Sequence, residues 1–369
     1  MTAVRVIISG GGTGGHIFPA IAIANALKKI NEKTEILFVG AEGRMEMEKV
    51  PSAGYKIEGL WISGLQRRLT IDNLSFPFKV ISSLMKSKKI IRRFKPDVAV
   101  GTGGFASGPL LRTASGMRIP TLIQEQNSFP GITNKLLGRR ANKICVAYEG
   151  MEKYFPKEKI SMTGNPVRQD ILLLDGKREE AFKDFSLNPN KKTVLFLGGS
   201  LGARTINQSV AACMNLLIKN NIQIIWQTGQ SYMRFATEVT SYLPGKDNGV
   251  RVYAFLSRMD LAYACADIVV SRAGAISLSE LAIVKKPCIL VPSPNVAEDH
   301  QTKNAMALVK HEAAILVKDI QAREKLGKEI INLMNDVQKQ NKLSENISKL
   351  AFPNSAEVIA KEVMKLANT

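Results

Sequence analysis

Two glycine-rich segments have the residue types and spacing to bind a phosphate group. The first, Ser-Gly-Gly-Gly-Thr-Gly-Gly-His at 9–16, follows the apolar run Val4–Ile8, and the second, Gly-Gly-Ser-Leu-Gly-Ala-Arg at 198–204, follows Val194–Leu197. Glycines let a ligand reach the backbone, and the free N–H groups and dipole of a following helix attract an anion. The repetition predicts two nucleotide-fold domains that face one phosphate-binding cleft.

The first segment, considered alone, leaves two other interpretations open. Gly10, Gly12 and Gly15 satisfy the dinucleotide fingerprint, and Glu42, just past the second predicted strand, is a candidate ribose ligand. An NAD(P)-dependent oxidoreductase is therefore one alternative, and a tight βα turn without any ligand is the other.

Three further polar clusters follow predicted strands. Gly-Thr-Gly-Gly-Phe at 101–105 and Gln-Glu-Gln-Asn at 124–127 lie at the carboxyl ends of strands, where doubly wound folds bind ligands; helix capping is the alternative. In the third cluster, Ser277 and Glu280 have the spacing of a capping box. The other interpretation is that the 272–275 turn contacts a diphosphate while the Glu280 carboxylate accepts hydrogen bonds from a ribose diol.

We expect no metal site and no cofactor. His300 and His311 do not have i, i+4 spacing, the chain contains no Asp-x-Asp pair, and Glu-Asp-His-Gln at 298–301 is the nearest approach to a ligand cluster. Gln301 and Asn304, one helical turn apart, have amides suited to sugar hydroxyls instead.

Short apolar runs that alternate with amphipathic stretches must position these residues. Strands with two apolar faces between helices predict an α/β protein with parallel sheets covered by helices. The predicted strands are Val4–Ser9, Glu35–Val39, Lys56–Trp61, Asp97–Val100, Thr121–Gln124, Lys143–Val146, Thr193–Leu197, Ile222–Gln227, Val250–Ala254, Asp267–Val270 and Cys288–Val291, and the helices include Phe18–Ile30, Asn73–Phe94, Ile132–Arg140 and Ser355–Asn368.

Glycine and proline residues near Gly164–Arg168 interrupt the alternation of strands and helices, and this interruption predicts the boundary between two domains. We therefore expect domains at 1–163 and 164–349, with a loose polar segment at 174–192 and a C-terminal helix, about 350–369, that returns to the first domain.

The composition is that of an ordinary folded protein with an excess of positive charge. Of the 369 residues, 45% are hydrophobic and 22% charged, and 51 Lys and Arg against 32 Asp and Glu give a net charge of +19, which favours polyanionic partners. The four scattered cysteines indicate reduced core thiols. We expect no secretory leader and no membrane-spanning helix.

The segment 65–95 concentrates positive charge beside aromatic residues. It holds nine Lys and Arg against one acid, next to Phe76-Pro77-Phe78. Such a surface suits peripheral contact with an anionic membrane; a core face with solvated lysines is the alternative, and nucleic acid is not expected because no recognition motif is present. The predicted membrane face comprises Phe76, Phe78, Lys79, Lys86, Lys88 and Lys89.

An ordered set of motifs resembles the MurG family, the lipid-linked N-acetylglucosaminyltransferases of bacterial peptidoglycan synthesis. The resemblance extends from about residue 4 to 365. Its motifs are Gly-Gly-Thr-Gly-Gly-His (11–16), Gly-Gly-Phe (103–105), Glu-Gln-Asn (125–127), Gly-Asn-Pro-Val-Arg (164–168), Gly-Gly-Ser-x-Gly-Ala-Arg (198–204), Arg-x-Gly-Ala-x-x-x-x-Glu (272–280) and Gln-x-x-Asn-Ala (301–305).

The resemblance implies a GT-B fold, with two Rossmann-like parallel-sheet domains facing a central cleft. It also implies inverting, metal-independent transfer of N-acetylglucosamine from UDP-N-acetylglucosamine to the C4 hydroxyl of muramoyl-pentapeptide-pyrophosphoryl-undecaprenol. Such an enzyme works peripherally on the cytoplasmic face of the bacterial plasma (inner) membrane, beside other cell-wall synthesis proteins.

The resemblance also implies site roles, with the donor in the C-terminal domain. Ser200 and its loop contact the diphosphate, Arg168 reaches the donor, Leu256 contacts uracil through its backbone, Glu280 binds the ribose and Gln301 the transferred sugar. On the N-terminal side, the residues near the sugar and the acceptor pyrophosphate are Thr13, Gly14, Gly15 and Asn127.

An inverting displacement needs a base for the acceptor hydroxyl. His16 is the first candidate, because a helix N-terminus favours neutral imidazole, although hydrogen bonding to the acceptor pyrophosphate is an equal alternative; Glu125 is the second candidate. Two departures from the family pattern are Leu201, where Gln is usual, and Gln124, where His is frequent. Another GT-B enzyme, a glycolipid synthase or a UDP-N-acetylglucosamine 2-epimerase, is the alternative function, and a basic nucleic-acid or membrane scaffold is the non-enzymatic one.

Overall fold

The computed structural model describes residues 3–64, 75–199, 202–243 and 248–368, with the main chain alone at Ala297. The N-terminal half contains, in chain order, β1 Arg5–Gly10, α1 Gly14–Ile30, β2 Glu35–Ala41, α2 Glu46–Ser52, β3 Lys56–Leu60, α3 Phe76–Phe94, β4 Val98–Gly103, α4 Ser107–Gly116, β5 Thr121–Glu125, α5 Ile132–Gly138, β6 Lys143–Val146 and β7 Ile160–Met162.

The rest of the chain repeats this alternation. Its elements are α6 Arg178–Asp184, β8 Lys192–Leu197, α7 Arg204–Lys219, β9 Ile222–Gln227, α8 Met233–Ser241, β10 Val250–Tyr253, α9 Met259–Cys265, β11 Ile268–Ser271, α10 Ala275–Val284, β12 Cys288–Leu290, α11 His300–Val309, β13 Ile315–Leu316, α12 Ala322–Asn335, α13 Val337–Ser348 and α14 Ser355–Ala367.

The strands form two parallel sheets, which confirms the predicted fold class. The first sheet has seven strands in the order β3-β2-β1-β4-β5-β6-β7, and the second has six in the order β10-β9-β8-β11-β12-β13. In each sheet the strand order reverses beside its first strand, between β1 and β4 or between β8 and β11. Doubly wound folds bind ligands at such reversals, outside the carboxyl ends of the strands.

The contacts divide the chain into an N-terminal unit, residues 1–167 with 352–369, and a C-terminal unit, residues 168–351. The division after Val167 lies a few residues beyond the boundary expected at 163. The chain re-enters the N-terminal unit at Phe352, so that α14 belongs to it.

Each unit buries its sheet between helices. In the N-terminal unit one apolar cluster joins Ile7, Val39 and Ile123 to α4, and another joins Ile8 and Val100 to α1 and α14. Ile359 and Val363 of α14 are fully buried in the second cluster. The C-terminal unit has its own core around Phe196 and Trp226, with α7 and α12 packed on the sheet.

Two local expectations needed correction. The segment expected to be loose at 174–192 contains α6, whose Ala181 and Phe182 are buried. The short edge strands β7 and β13 were not predicted: β7 has Ser161 between its two apolar residues, and β13 is only two residues long although it lies in the apolar run 313–317. No helix that the structure describes is long and apolar enough to cross a membrane. All four cysteines are buried as free thiols, as predicted for core positions.

Candidate active site

The first glycine loop connects β1 to α1 at the strand-order reversal of the N-terminal unit. Thr13 is the exposed residue before the helix, and the helix begins at Gly14. Because the first N–H groups of a helix have no intrahelical acceptor, they point at any ligand placed there. The predicted residues Thr13, Gly14 and Gly15 therefore lie at a helix N-terminus, the kind of position that suits an anion.

The glycines of this loop serve two different purposes. A Cβ at Gly10 would lie 1.9 Å from Thr102 Oγ1, and one at Gly11 would lie 2.0 Å from Glu46 Oε1. In contrast, a Cβ at Gly15 would meet only Thr13 Oγ1 at 3.6 Å. The space beside Gly10 and Gly11 is thus filled by side chains of the protein, whereas Gly15 has only the one distant contact.

Glu46, the first residue of α2, is a residue of this site that sequence reasoning missed. Its side chain is fully buried, and its oxygens accept hydrogen bonds from Gly12 N (2.9 Å, Oε2) and Ala41 N (3.0 Å, Oε1). Glu42, the ribose ligand of the dinucleotide interpretation, instead forms an ion pair with Lys86 on α3 at 2.8 Å.

His16 lies within the first turn of α1, against two glycine segments. Its Nδ1 is 2.9 Å from the Gly11 carbonyl oxygen and 3.4 Å from Thr13 Oγ1. A Cβ at Gly103, whose φ is +104°, would lie 2.8 Å from the imidazole Cδ2, so only glycine leaves room for the ring. The close approach of Gly104 to the Gly11 carbonyl likewise joins the 101–105 cluster to the first loop.

Glu125 ends β5 in a buried position with four hydrogen-bond donors. Oε1 accepts from the main-chain and side-chain nitrogens of Asn127 (3.0 and 3.1 Å), and Oε2 accepts from Gly131 N (3.1 Å) and Asn134 Nδ2 (2.8 Å). Both oxygens are therefore occupied in shaping the 126–131 loop. The second candidate base therefore already accepts four hydrogen bonds, from its own loop and from Asn134.

The departure at Gln124 has a structural explanation. Its Nε2 donates to Asn165 Oδ1 at 2.9 Å, and Asn165 Nδ2 donates to the Gln126 carbonyl at 3.0 Å. All three residues are buried. Gln124 thus connects the end of β5 to the Gly-Asn-Pro segment that precedes the C-terminal unit.

The second glycine loop connects β8 to α7 at the strand-order reversal of the C-terminal unit. Ser200 and Leu201 lie outside the described residues. Around them, Gly202 has a φ of +79°, and a Cβ there would lie 2.2 Å from the Thr228 carbonyl oxygen. Asn207 of α7 donates to that same carbonyl at 2.8 Å and accepts from Trp226 Nε1 at 2.9 Å. An uncharged amide therefore supports this loop.

Arg168, Glu280 and Tyr263 form a contact cluster in the C-terminal unit. The carboxylate of Glu280 accepts from Arg168 Nε at 3.1 Å and from the Tyr263 hydroxyl at 3.0 Å. Burial raises the pKa of Glu280, while the charge of Arg168 opposes that rise. Burial, followed by the charge of Glu280, raises the pKa of Tyr263 well above its usual range, so Tyr263 remains a donor. Two predicted donor-binding residues thus lie in direct contact, and Tyr263 was missed.

The capping-box interpretation of Ser277 and Glu280 is wrong. The residue before α10 is Gly274, so both side chains lie inside the helix and cannot cap it. The preceding turn is held by Arg272, which donates to the Val291 carbonyl at 2.9 Å and pairs with Asp319. Asp319, also missed, accepts from Thr205 Oγ1 at 2.9 Å and so connects this turn to the start of α7.

The remaining predicted donor residues occupy the same unit. Gln301 lies in the first turn of α11 and accepts through Oε1 from Ser293 N at 2.8 Å. Leu256 is buried beside the exposed Phe255. Asn304 is buried and reaches the Ala273 carbonyl at 3.5 Å, so it supports the 272–275 turn.

The predicted membrane face lies on α3 and is only partly as expected. Phe78, Lys86, Lys88 and Lys89 are exposed, whereas Phe76 is half-buried and Lys79 contacts Ser63 Oγ at 3.2 Å. Two apolar residues that were not assigned to it, Ile81 and Met85, are 58% and 69% exposed. The segment 65–74, which carries part of the charge, lies outside the described residues.

Comparison with known proteins defines the class of this α/β chain. The model of the glycosyltransferase family 28 N-terminal domain matches residues 6–146, and that of the glycosyltransferase family 28 C-terminal domain matches residues 193–362. The two glycine loops fall within these two matches, one in each. The protein is therefore a glycosyltransferase of this class.

Similarity over the full length narrows the class to one family. The chain is 57% identical to a UDP-N-acetylglucosamine–N-acetylmuramyl-(pentapeptide) pyrophosphoryl-undecaprenol N-acetylglucosamine transferase of Flavobacterium psychrophilum, covering 100% of this chain and 99% of that protein. It is 56% identical to a Bacteroides fragilis protein of the same name, covering 99% and 96%. The crystal structure of Acinetobacter baumannii MurG superposes with a TM-score of 0.78 at 26% identity, covering 98% and 99%. The chain belongs to the MurG family of UDP-N-acetylglucosamine-dependent glycosyltransferases.

Proposed function

We propose that the chain transfers N-acetylglucosamine from UDP-N-acetylglucosamine to the C4 hydroxyl of muramoyl-pentapeptide-pyrophosphoryl-undecaprenol, with inversion and without a metal ion. The 57% identity with a transferase of that name along the whole chain carries this proposal. In the reaction, a bond forms between the acceptor oxygen and the anomeric carbon, the bond from that carbon to the diphosphate breaks, and UDP leaves as an anion.

His16 is the proposed general base. Because a carbonyl oxygen can only accept a hydrogen bond, the contact between Nδ1 and Gly11 O assigns the ring proton to Nδ1 and leaves the lone pair on Nε2. A neutral ring in this tautomer can take the proton of the acceptor hydroxyl. Thr13, Gly14, Gly15 and Asn127 then lie on the proposed acceptor side, near the pyrophosphate and the transferred sugar.

The C-terminal unit is the proposed donor site. Glu280 is suited to a ribose diol because a carboxylate can accept from both hydroxyls, and Arg168 beside it supplies positive charge toward the diphosphate. The second loop, with Ser200, and the N-terminus of α7 stabilise the leaving UDP. Gln301, which already accepts through Oε1, has its amide nitrogen as the donor to the sugar, while Leu256 contributes its backbone to uracil.

The proposed membrane surface is the exposed face of α3. Phe78, Ile81 and Met85 lie three to four residues apart on one side of the helix, and Lys88 and Arg92 continue that side. The N-terminal unit carries 27 Lys and Arg against 14 Asp and Glu, a net +13, whereas the C-terminal unit has +6. Concentrated positive charge beside apolar side chains supports peripheral docking on the anionic cytoplasmic leaflet.

The decisive experiment supplies labelled UDP-N-acetylglucosamine and a short-chain lipid-pyrophosphoryl-muramoyl-pentapeptide in EDTA. We expect label on the lipid; donor binding without transfer would refute the proposed acceptor, and label converted to an epimer would support the epimerase.

In the same assay, His16→Ala should lower turnover about a hundredfold or more while donor affinity changes less than threefold. His311→Ala, at an exposed histidine, is the matched control, and unchanged turnover in His16→Ala would remove that residue from the mechanism.

Docking is tested with vesicles that contain anionic lipid. Lys88→Glu/Lys89→Glu should weaken vesicle binding at least tenfold, since each cation near such a surface contributes about 1 kcal/mol. Lys325→Glu/Lys328→Glu on α12 makes the same change in net charge at exposed positions of the C-terminal unit. If both double variants lost vesicle affinity equally, the net charge of the protein alone would explain the binding. That outcome would contradict a docking face on α3.

A further inference from the structure

The first glycine loop rests on a buried carboxylate that no step of the proposed reaction uses. Glu46 is 0% exposed, and its two oxygens accept from Gly12 N in the loop and from Ala41 N at the end of β2. Among the residues that the structure describes, Glu46 has no Lys or Arg partner. The carboxylate is thus held between two backbone segments that are separated by about thirty residues in sequence.

The glycines around Glu46 show that its position is built into the fold. A Cβ at Gly11 would lie 2.0 Å from Glu46 Oε1, and the three nearest atoms are all atoms of Glu46. A Cβ at Gly40 would lie 2.5 Å from Glu46 Cγ. Neither glycine has a positive φ, so these positions exclude larger residues because the Glu46 side chain fills the space, and not because of backbone conformation.

We propose that Glu46 is a positioning residue for the acceptor side of the site: by accepting the Gly12 N–H it fixes the loop that presents Thr13, Gly14 and His16. The hydrogen bond also fixes which N–H groups the loop offers, because Gly12 N points inward and those of the α1 terminus remain for the ligand. The Gly11 carbonyl that orients the His16 ring belongs to the same short segment. The kinetic part of this inference rests on the proposed function.

Glu46→Gln is the most conservative test. A glutamine keeps the volume but has one acceptor oxygen for two N–H donors, so one of the two contacts becomes donor against donor. We expect kcat/KM for the lipid acceptor to fall tenfold or more, while the Kd for UDP-N-acetylglucosamine stays within twofold. Glu48→Gln, at an exposed carboxylate on the same helix, should match the unsubstituted protein in both quantities. A Glu46→Gln enzyme with unaltered acceptor kinetics would overturn the proposal.

Amide hydrogen exchange tests the same inference without activity. Exchange in the peptide spanning 9–16 should accelerate in Glu46→Gln and remain unaltered in Glu48→Gln. Faster exchange in a protein that does not transfer sugar to the lipid would leave the positioning role intact and refute the proposed function instead. Unaltered exchange would refute the positioning role whatever the activity.

A double-mutant cycle identifies the contact itself. Gly11→Ala should lower acceptor kcat/KM at least tenfold in the natural background, because the new Cβ displaces the carboxylate. In a Glu46→Ala background the same change should cost less than threefold, because the atoms that it would meet are gone. If the loss of kcat/KM in the double variant equals the product of the two single losses, Gly11 and Glu46 act independently. That result would contradict the inference.

Discussion

The buried carboxylates of the two units are held by different kinds of partner. In the N-terminal unit, Glu46 and Glu125 accept from backbone N–H and amide groups. In the C-terminal unit, Glu280 pairs with Arg168, and Asp260 pairs with Lys177 and Arg258. The first arrangement shapes loops with uncharged donors, and the second joins distant segments with cations.

This difference bears on how each unit uses its basic residues. In the C-terminal unit, cations are used inside the fold, as in the pairs Arg168–Glu280 and Arg272–Asp319. In the N-terminal unit, lysines such as Lys88 and Lys89 are on the surface. The buried carboxylates Glu46 and Glu125 are thus satisfied without a cation, although exposed acids of the same unit such as Glu42 do pair with lysine.

The largest effect on stability is expected where a carboxylate has only fixed donors. Glu125→Gln turns one of the two oxygens into an NH₂ group, which then faces the main-chain N–H of Asn127 or of Gly131, and neither can accept a hydrogen bond. We expect the free energy of unfolding to fall by about 2–4 kcal/mol, measured by urea denaturation. Glu149→Gln, at an exposed position of the same unit, should change it by less than about 0.5 kcal/mol.

Glu280→Gln should affect stability less and binding more. The Tyr263 hydroxyl can reverse its role and accept from the new NH₂ group, while the amide oxygen continues to accept from Arg168. The change also removes a charge whose burial is unfavourable, as the raised pKa of Glu280 indicates. We therefore expect less than about 1.5 kcal/mol lost in unfolding but at least a tenfold weaker affinity for UDP, measured by calorimetry. A stability loss equal to that of Glu125→Gln would remove the distinction between the two units.

The contribution of the ion pairs of Asp260 to stability can be tested by varying the pH. The hydrogen bond from Arg258, together with that from Lys177, holds the pKa of Asp260 well below its usual range. A carboxyl whose pKa is depressed on folding contributes stability above its unfolded pKa of about 3.9, and that stability is lost as the pH falls through the folded value. Asp260→Asn should therefore cost about 1–2 kcal/mol at neutral pH, reduced by the solvent exposure of Arg258.

The measurement is the free energy of unfolding in urea, at neutral pH and at a pH below 3.9. The gap between Asp260→Asn and the natural protein should narrow at the lower pH, whereas Asp175→Asn, at an exposed site, should show little gap at either. A gap independent of pH would mean that Asp260 acts through packing and not through charge.

The sequence sufficed for the fold because buried parallel strands are continuous apolar runs, which are visible without knowledge of the partner strand. It missed the edge strands β7 and β13, which are only three and two residues long. Among site residues, the glycine loops were visible because each is a contiguous cluster directly after an apolar run. The buried supports were not visible: Glu46 contacts Gly12 across 34 residues, and Arg272 contacts Asp319 across 47. Pairing at that separation depends on which strands become neighbours.

The same limit applies at Glu125 and at Ser277. A carboxylate at the end of a strand is consistent with a catalytic base, but its four donors come from the loop conformation, which the residue types alone do not determine. Ser277 and Glu280 have the right spacing for a capping box, but α10 begins at Ala275, after Gly274. A spacing rule applies only once the first residue of the helix is known.

The smallest effect on stability is expected at the exposed pair of Lys86 and Glu42. Because substitutions there should hardly change the free energy of unfolding, any change in vesicle binding can be attributed to docking. Both side chains are nearly half-exposed, so breaking the pair from either side should change the free energy of unfolding by less than about 0.5 kcal/mol. Docking on an anionic vesicle should respond to the two changes in opposite directions. Lys86→Gln removes a cation from the proposed surface and should weaken binding about fivefold, whereas Glu42→Gln removes an anion and should strengthen it. If both variants weakened binding equally, the pair would order the surface of α3, and the lysine charge itself would not be the recognised feature.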